Sequence, residues 1–151
     1  MSAINNPFHG LATELHLTSS VGGTLSSSTL VAEVSSVGTV ELTANIIEYN
    51  SYGNSYKQKL VGQKDSGTLS LTLNWVCGDT SHLALKAKYD SGAAQTFAIK
   101  WISAAENAVA EFTGYVSSFS IDTPVEDVVT ANVEIAIDGA VAFALTTASA
   151  A

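Results

Sequence analysis

One stretch of near-continuous alternation, Ala108 to Gly139, constrains this chain more than any other feature. In its second half Val129, Ala131, Val133, Ile135 and Ile137 point one way, and Thr130, Asn132, Glu134, Ala136 and Asp138 point the other. In its first half Ala110, Phe112, Gly114 and Val116 alternate with Glu111, Thr113, Tyr115 and Ser117. A period of two is the mark of a strand with one buried face and one wetter face. Pro124, set among Asp122, Glu126 and Asp127, breaks the ladder, because proline cannot donate to a sheet and short acidic segments favour turns. The stretch therefore predicts two long antiparallel strands. Typical strands run about 5–6 residues, so strands of this length predict a surface used by something outside the single chain.

The rest of the chain extends the same theme. Leu15 and Leu17 alternate with Glu14 and His16, predicting a strand over Leu11–Thr18, and Thr29–Val34 reads as a short one. Val40 to Asn50 predicts a further strand, with Val40, Leu42, Ala44 and Ile46 on one face and Glu41, Thr43, Asn45 and Ile47 on the other. Tyr49 to Lys59 reads as a loop with three tyrosines and Gly53 at its tip. Loop tyrosines supply large contact area at low entropy cost, which points this one to a protein contact. Leu69, Leu71, Leu73 and Trp75 predict a core-facing strand within Ser66–Val76, and Phe97, Ile99 and Trp101 another over Gln95–Ile102. Between them Asp79, Thr80 and Ser81 offer caps for the one helix, with His82, Leu85 and Tyr89 on its inner stripe and Gly92 as a left-handed stop. The fold class expected is mainly β: an antiparallel β-sandwich with one flanking α-helix. At 151 residues it is read as a single domain, with an N-terminal arm over 1–11, the loop 49–59 and a small-residue tail over 140–151.

Composition excludes several classes of function. The chain carries a net charge of −8, contains no arginine, and confines its six lysines to Lys57–Lys100. A nucleic-acid reader needs arginine forks and a basic stripe, so affinity for DNA through its phosphates is not expected. The single Cys77 rules out an internal disulfide and a multi-cysteine metal centre. No basic segment followed by an apolar run opens the sequence and no run approaches about 20 apolar residues. A protein kept in a reducing cytoplasm is the reading that follows.

Catalytic and metal motifs are absent. His9, His16 and His82 lie at no ligand-like spacing, and His82 reads as a packed, hydrogen-bonded core histidine. Cys77 and His82 lack a third orienting group for nucleophilic work. Asp122, Glu126 and Asp127 lack the calcium-loop pattern, and Gly22-Gly23 is no phosphate loop. No enzyme, cofactor or metal is expected.

Three segments together resemble a known family. They are GTLSLTLNW (Gly67–Trp75), DTSHLALKAKYDSG (Asp79–Gly92) and the run EFTGYVSSFSIDTPVEDVVTANVEIAIDGA (Glu111–Ala140). Across roughly Val40–Ala140 the chain resembles the major tail tube proteins of lambda-like long-tailed bacteriophages. The resemblance implies a structural virion protein that self-assembles into stacked hexameric rings forming a hollow tube through which DNA passes. It implies a tape-measure protein, a tail tip or baseplate and a tail terminator as partners, assembly in the host bacterial cytoplasm, and no membrane. Residues Tyr49, Tyr52, Asn54, Tyr56 and Lys57 would serve contacts between rings, and Glu41, Thr43, Asn45, Asn132 and Glu134 would face the lumen. Two other readings stand beside it. One is a related secretion or contractile tube subunit. The other is a β-sandwich ligand- or carbohydrate-binding module that stacks sugars on Trp75, Trp101 and the loop tyrosines.

Overall fold

The computed structural model describes residues 13–18, 28–102 and 106–147. Nine strands and one helix follow in the order β1 (Thr13–Thr18), β2 (Thr29–Leu30), β3 (Val34–Val37), β4 (Thr43–Tyr49), β5 (Gln58–Asp65), β6 (Thr68–Asn74), α1 (Thr80–Ser91), β7 (Gln95–Ile102), β8 (Glu106–Asp122) and β9 (Thr130–Thr147). Seven strands make one antiparallel sheet in the order β2-β1-β7-β8-β9-β6-β3, and β4 and β5 pair only with each other. The predicted sandwich is thus one curled sheet rather than two separate ones. Strand β8 pairs with β7 only through Gly114, whereas β9 pairs with β6 over Thr130–Ala136, at the opposite end of the β8–β9 ladder. Both halves of the sandwich therefore share the same long hairpin, and the curl brings β3 against β1.

Two irregularities allow the bend. Between Glu111 and Thr113 of β8, β9 advances from Ala142 to Asp138, leaving a bulge that contains Gly139 at a φ of 82°. Opposite it, Gly114 lets the Ala136 carbonyl come so near that a Cβ would lie 2.7 Å from the oxygen. A bulge bends and twists its strand, and glycine permits close approach of a second backbone.

The core fills the concave side. Leu15, Leu69, Leu71, Leu73, Phe97, Ile99, Phe112, Val133 and Ile135 are all fully buried, and Phe97 stacks on Phe112 with ring centroids 5.6 Å apart. Each such side chain contributes about 1.5–3 kcal/mol by leaving water. The alternations that predicted β1, β6, β7, β8 and β9 are the same residues that supply this core.

The helix matches its sequence signals closely. Asp79 caps it, accepting from the backbone N–H of Ser81 and His82, and Gly92 ends it at a φ of 67° while donating to the Lys88 carbonyl. Helix α1 lies against β8, and it buries Ser81, His82 and Leu85. Tyr89, expected on that inner stripe, is exposed.

Three boundaries differ from expectation. The region Thr29–Val34 divides into β2 and β3 around a turn in which Glu33 takes a positive φ of 57°. Gln58–Asp65 forms β5, which the adjacent Leu60 and Val61 hid by breaking the alternation. Residues 140–147, expected as a tail, continue β9 and pair with β8 as far as Glu106↔Thr147. The expected arm over 1–11 and the last four residues of the expected tail lie outside the described residues.

Candidate assembly surfaces

The hairpin of β4 and β5 is the least conventional part of the molecule. Every residue of β4 is exposed, although its sequence alternates as a half-buried strand would. Ile46 faces Val61 across the ladder and Ile47 faces Leu60, so the hairpin carries an aliphatic pair on each of its two faces. All four side chains keep about half or more of their surface in water. The register shifts between Ala44 and Ile46, opposite the stretch holding Gly62, whose Cβ position is 3.1 Å from the Asn45 carbonyl oxygen. Isolated two-stranded hairpins are marginal in water, and among the described residues this one is anchored at its root. There Ser66 donates to the Gly139 carbonyl at 2.7 Å and Ile137 N–H to the Gly67 carbonyl at 3.1 Å.

The tip holds the residues that the sequence assigned to contact between rings. Tyr49 ends β4 and its hydroxyl donates to Gln58 at 2.6 Å. Tyr52 is fully exposed and Tyr56 nearly so, on either side of Gly53 at a φ of 91°. The Asn54 N–H closes the turn onto the Ser51 carbonyl at 3.3 Å. Lys57 and Lys59 both reach the one carboxylate of Glu48, each at 3.6 Å.

The residues assigned to the lumen fall into two groups. Asn132 and Glu134 stand on the convex face of β9, where Thr72 donates to the Asn132 amide oxygen at 3.0 Å and Ser70 and Ser118 flank Glu134. Across β6, β9 and the adjoining part of β8 this face presents Ser70, Thr72, Ser118, Ser120, Asn132 and Glu134. No lysine lies on β3, β6, β8 or β9. Thr43 and Asn45 instead belong to the hairpin, and Glu41 to the segment leading into it. The chain itself does not bring the two groups onto one sheet.

Two strand edges and one turn complete the exposed surfaces. Beyond Gly114 no described strand pairs with β8 on its β7 side, and beyond Ile137 none pairs with β9 on its β6 side. The second edge carries exposed Phe143 and Leu145, which sequence reasoning missed; the alternation of Val141, Phe143 and Leu145 with alanine was the available signal. Between β8 and β9, Val125 is fully exposed and Val128 largely so, among Asp122, Glu126 and Asp127.

The polar residues considered for chemistry have structural partners. His82 is fully buried; its Nε2–H donates to the Ala32 carbonyl at 2.7 Å and its Nδ1 accepts from the Val76 N–H at 3.2 Å, while Trp75 stacks on its ring. The Ala32 N–H in turn donates to the Ser81 hydroxyl at 3.2 Å. The helix start thus fastens the turn between the two edge strands β2 and β3. His16 hydrogen-bonds Glu14 and Ser28, and Cys77 is exposed, away from any cluster. Among the described residues no group of histidine, cysteine and carboxylate side chains is placed to hold a metal, and no helix is long and apolar enough to cross a membrane. The Asp79 carboxyl is held below its ordinary value, chiefly by the Ser81 hydroxyl. The aromatic platform required for sugar stacking is not assembled: Trp75 packs on His82 and Phe119, Trp101 stacks on Phe143, and the tyrosines sit on the hairpin.

Comparison with known proteins gives the same fold from an independent direction. The tail tube of SPP1 superposes with a TM-score of 0.66 at 16% identity, over 88% of this chain and 77% of that one. The sheath/tube terminator of the PVC extracellular contractile injection system gives 0.71 at 14% identity, covering 94% and 99%. The tail of an empty gene transfer agent particle with C6 symmetry gives 0.70 at 13% identity, covering 91% and 99%. No curated protein matches the chain. The sequence profile of the lambda phage tail tube protein matches residues 20–144, which is most of the chain. The chain belongs to the lambda phage tail tube protein family and is a structural tube subunit.

Proposed function

We propose that this chain, acting as one domain, stacks head-to-tail as hexameric rings into a hollow phage tail tube through which DNA passes, without catalysis. The observation that carries this reading is the β4–β5 hairpin. An element with aliphatic pairs on both faces and no cover among the described residues is suited to completion by neighbours. The two open edges of β8 and β9 support it. Unpaired strand edges invite pairing with another chain, and a closed ring removes them.

The convex face of β6, β8 and β9 suits a lumen. It offers hydroxyl and amide groups, the carboxylate Glu134 and no lysine, so a duplex meets no cation that would hold its phosphates. Asn132 and Glu134 line the channel in this reading, and Glu41, Thr43 and Asn45 reach it only where the hairpin of a neighbour folds inward. Residues Tyr49, Tyr52, Asn54, Tyr56 and Lys57 bridge rings. A tape-measure protein fills the lumen during assembly in the host cytoplasm, and a tail tip and a terminator close the two ends.

The test is negative-stain electron microscopy of the purified protein across a concentration series, with its solution mass. Hollow tubes are expected from the intact chain, with or without tail tips as seeds. Deletion of 51–56 is expected to leave a folded monomer that forms none. Tubes unaffected by the deletion would refute the role of the tip. A protein that never assembles, even when seeded, would refute the tube.

A further inference from the structure

Head-to-tail stacking uses a heterologous interface, in which two different patches of the same chain must fit each other. The family assignment does not say which patches these are. We infer that the hairpin tip of one copy docks on the β8–β9 turn of the next, seating Tyr52 and Tyr56 against Val125 and Val128 and bringing Lys57 and Lys59 to Asp122, Glu126 and Asp127. This rests on the stacked-ring reading and adds the acceptor for the tip.

Three observations converge on the pairing. The first is charge. On the hairpin two lysines share the single carboxylate of Glu48, both at 3.6 Å, so the tip carries a surplus cation. On the turn, Asp122, Glu126 and Asp127 form no ion pair with any described residue. Of the other lysines, half-buried Lys86 is held by Asp90 at 2.7 Å, and exposed Lys64 lies at the hairpin's root beside Asp65, away from its tip.

The second is apolar surface. Tyr52 and Val125 are both fully exposed, with Tyr56 and Val128 beside them. Aromatic side chains with their polar ends wet are characteristic of contact cores, and carboxylates and ammonium groups around them are characteristic of rims.

The third is position. The turn closes the β8–β9 ladder at Asp122↔Thr130, whereas the hairpin is rooted beside Gly139. From Thr130 to Gly139 along β9 is about 30 Å at roughly 3.3 Å per residue. The two patches are both open to water, so they do not meet within one chain. The root from which the tip projects thus lies well apart from the turn along the long strands, as the two complementary ends of a repeating stack require.

Reversal of charge tests the pairing. One variant, Glu48→Lys with Lys57→Glu and Lys59→Glu, keeps the hairpin's internal ion pairs while reversing its surplus. A second, Glu126→Lys with Asp127→Lys, reverses the turn, and a third combines all five changes. Circular dichroism confirms the fold of each, and the critical concentration for tubes is read by pelleting and electron microscopy. Each reversal alone is expected to raise that concentration about tenfold or more, and the combination to return it to within about threefold of the parent. Failure of the combination to rescue, or indifference to either single reversal, overturns this docking while leaving the tube reading in place. Absence of tubes from the unaltered chain, seeded or not, overturns both.

Discussion

Gly114 offers a direct measure of how tightly the curl is built. It pairs with Gln95 of β7 and Ile137 of β9, at the last residue where β8 is flanked on both sides. In Gly114→Ala the new Cβ would lie 2.7 Å from the Ala136 carbonyl oxygen and 2.9 Å from Ile135 Cγ2. The first contact is with backbone, so no side-chain rotation relieves it, and the central ladder must open by some tenths of an ångström. Overpacking of this kind costs about 1–3 kcal/mol, offset by about 0.4–1 kcal/mol from the lower entropy of the unfolded chain. The net loss is about 1–2 kcal/mol, and with roughly 2–4 °C per kcal/mol for a chain of this size the midpoint should fall by about 2–8 °C. The control is Gly78→Ala. No heavy atom lies within 4 Å of its Cβ position, so its midpoint should hold or rise slightly. Thermal unfolding followed by circular dichroism reads both. Equal midpoints for the two variants would show that the ladder at Gly114 has slack, and the account of the bend would fail.

Two further outcomes concern the helix start. His82→Ala removes the partners of the Ala32 carbonyl and the Val76 N–H, each costing about 1–3 kcal/mol when left unsatisfied. Urea unfolding should show a midpoint lowered at an unchanged slope, whereas an unchanged midpoint would mean that water replaces the ring. The Asp79 carboxyl, depressed chiefly by the Ser81 hydroxyl, favours the folded state in full above the ordinary carboxylate pKa of 3.8. That contribution is lost as pH falls through the lower folded value. Stability measured against pH should therefore lose an acid-limb component in Asp79→Asn, and superimposable curves would remove Asp79 from the account.

The sequence made some elements readable and left others hidden for physical reasons. Strand β7 was legible to the residue, because Phe97, Ile99 and Trp101 alternate and Gly92 ends the preceding helix. The final turns of β9 were not: alanine is a weak strand former, and pairing with β8 decided residues 140–147 instead of local propensity. Strand β5 was hidden because its two apolar residues, Leu60 and Val61, are adjacent and leave no alternation to read. Strand β4 presents the converse. Its alternation predicted a buried face, yet among the described residues neither side of it is covered. There the pattern does not report a core of the described residues. The convex polar face was legible as alternation, but its width across β6, β9 and β8 depended on pairings between residues some 60 apart, such as Thr72 with Asn132.

The shared hairpin also sets a timetable. A chain is made from its N-terminus, and β1 needs β7, β3 needs β6, β7 needs β8, and β6 needs β9. The central pair comes last in the chain, although its own connection is only the short segment between Asp122 and Thr130. Local closure of that kind is fast, whereas long-range pairing waits on it. A nascent chain therefore holds β6 and β7 each without one partner until β8 and β9 leave the ribosome. Neither the root of the β4–β5 hairpin at Gly139 nor the convex face exists before then. Any contact that uses the hairpin's root or the convex face therefore waits for β9, and a chain stopped before β9 lacks both.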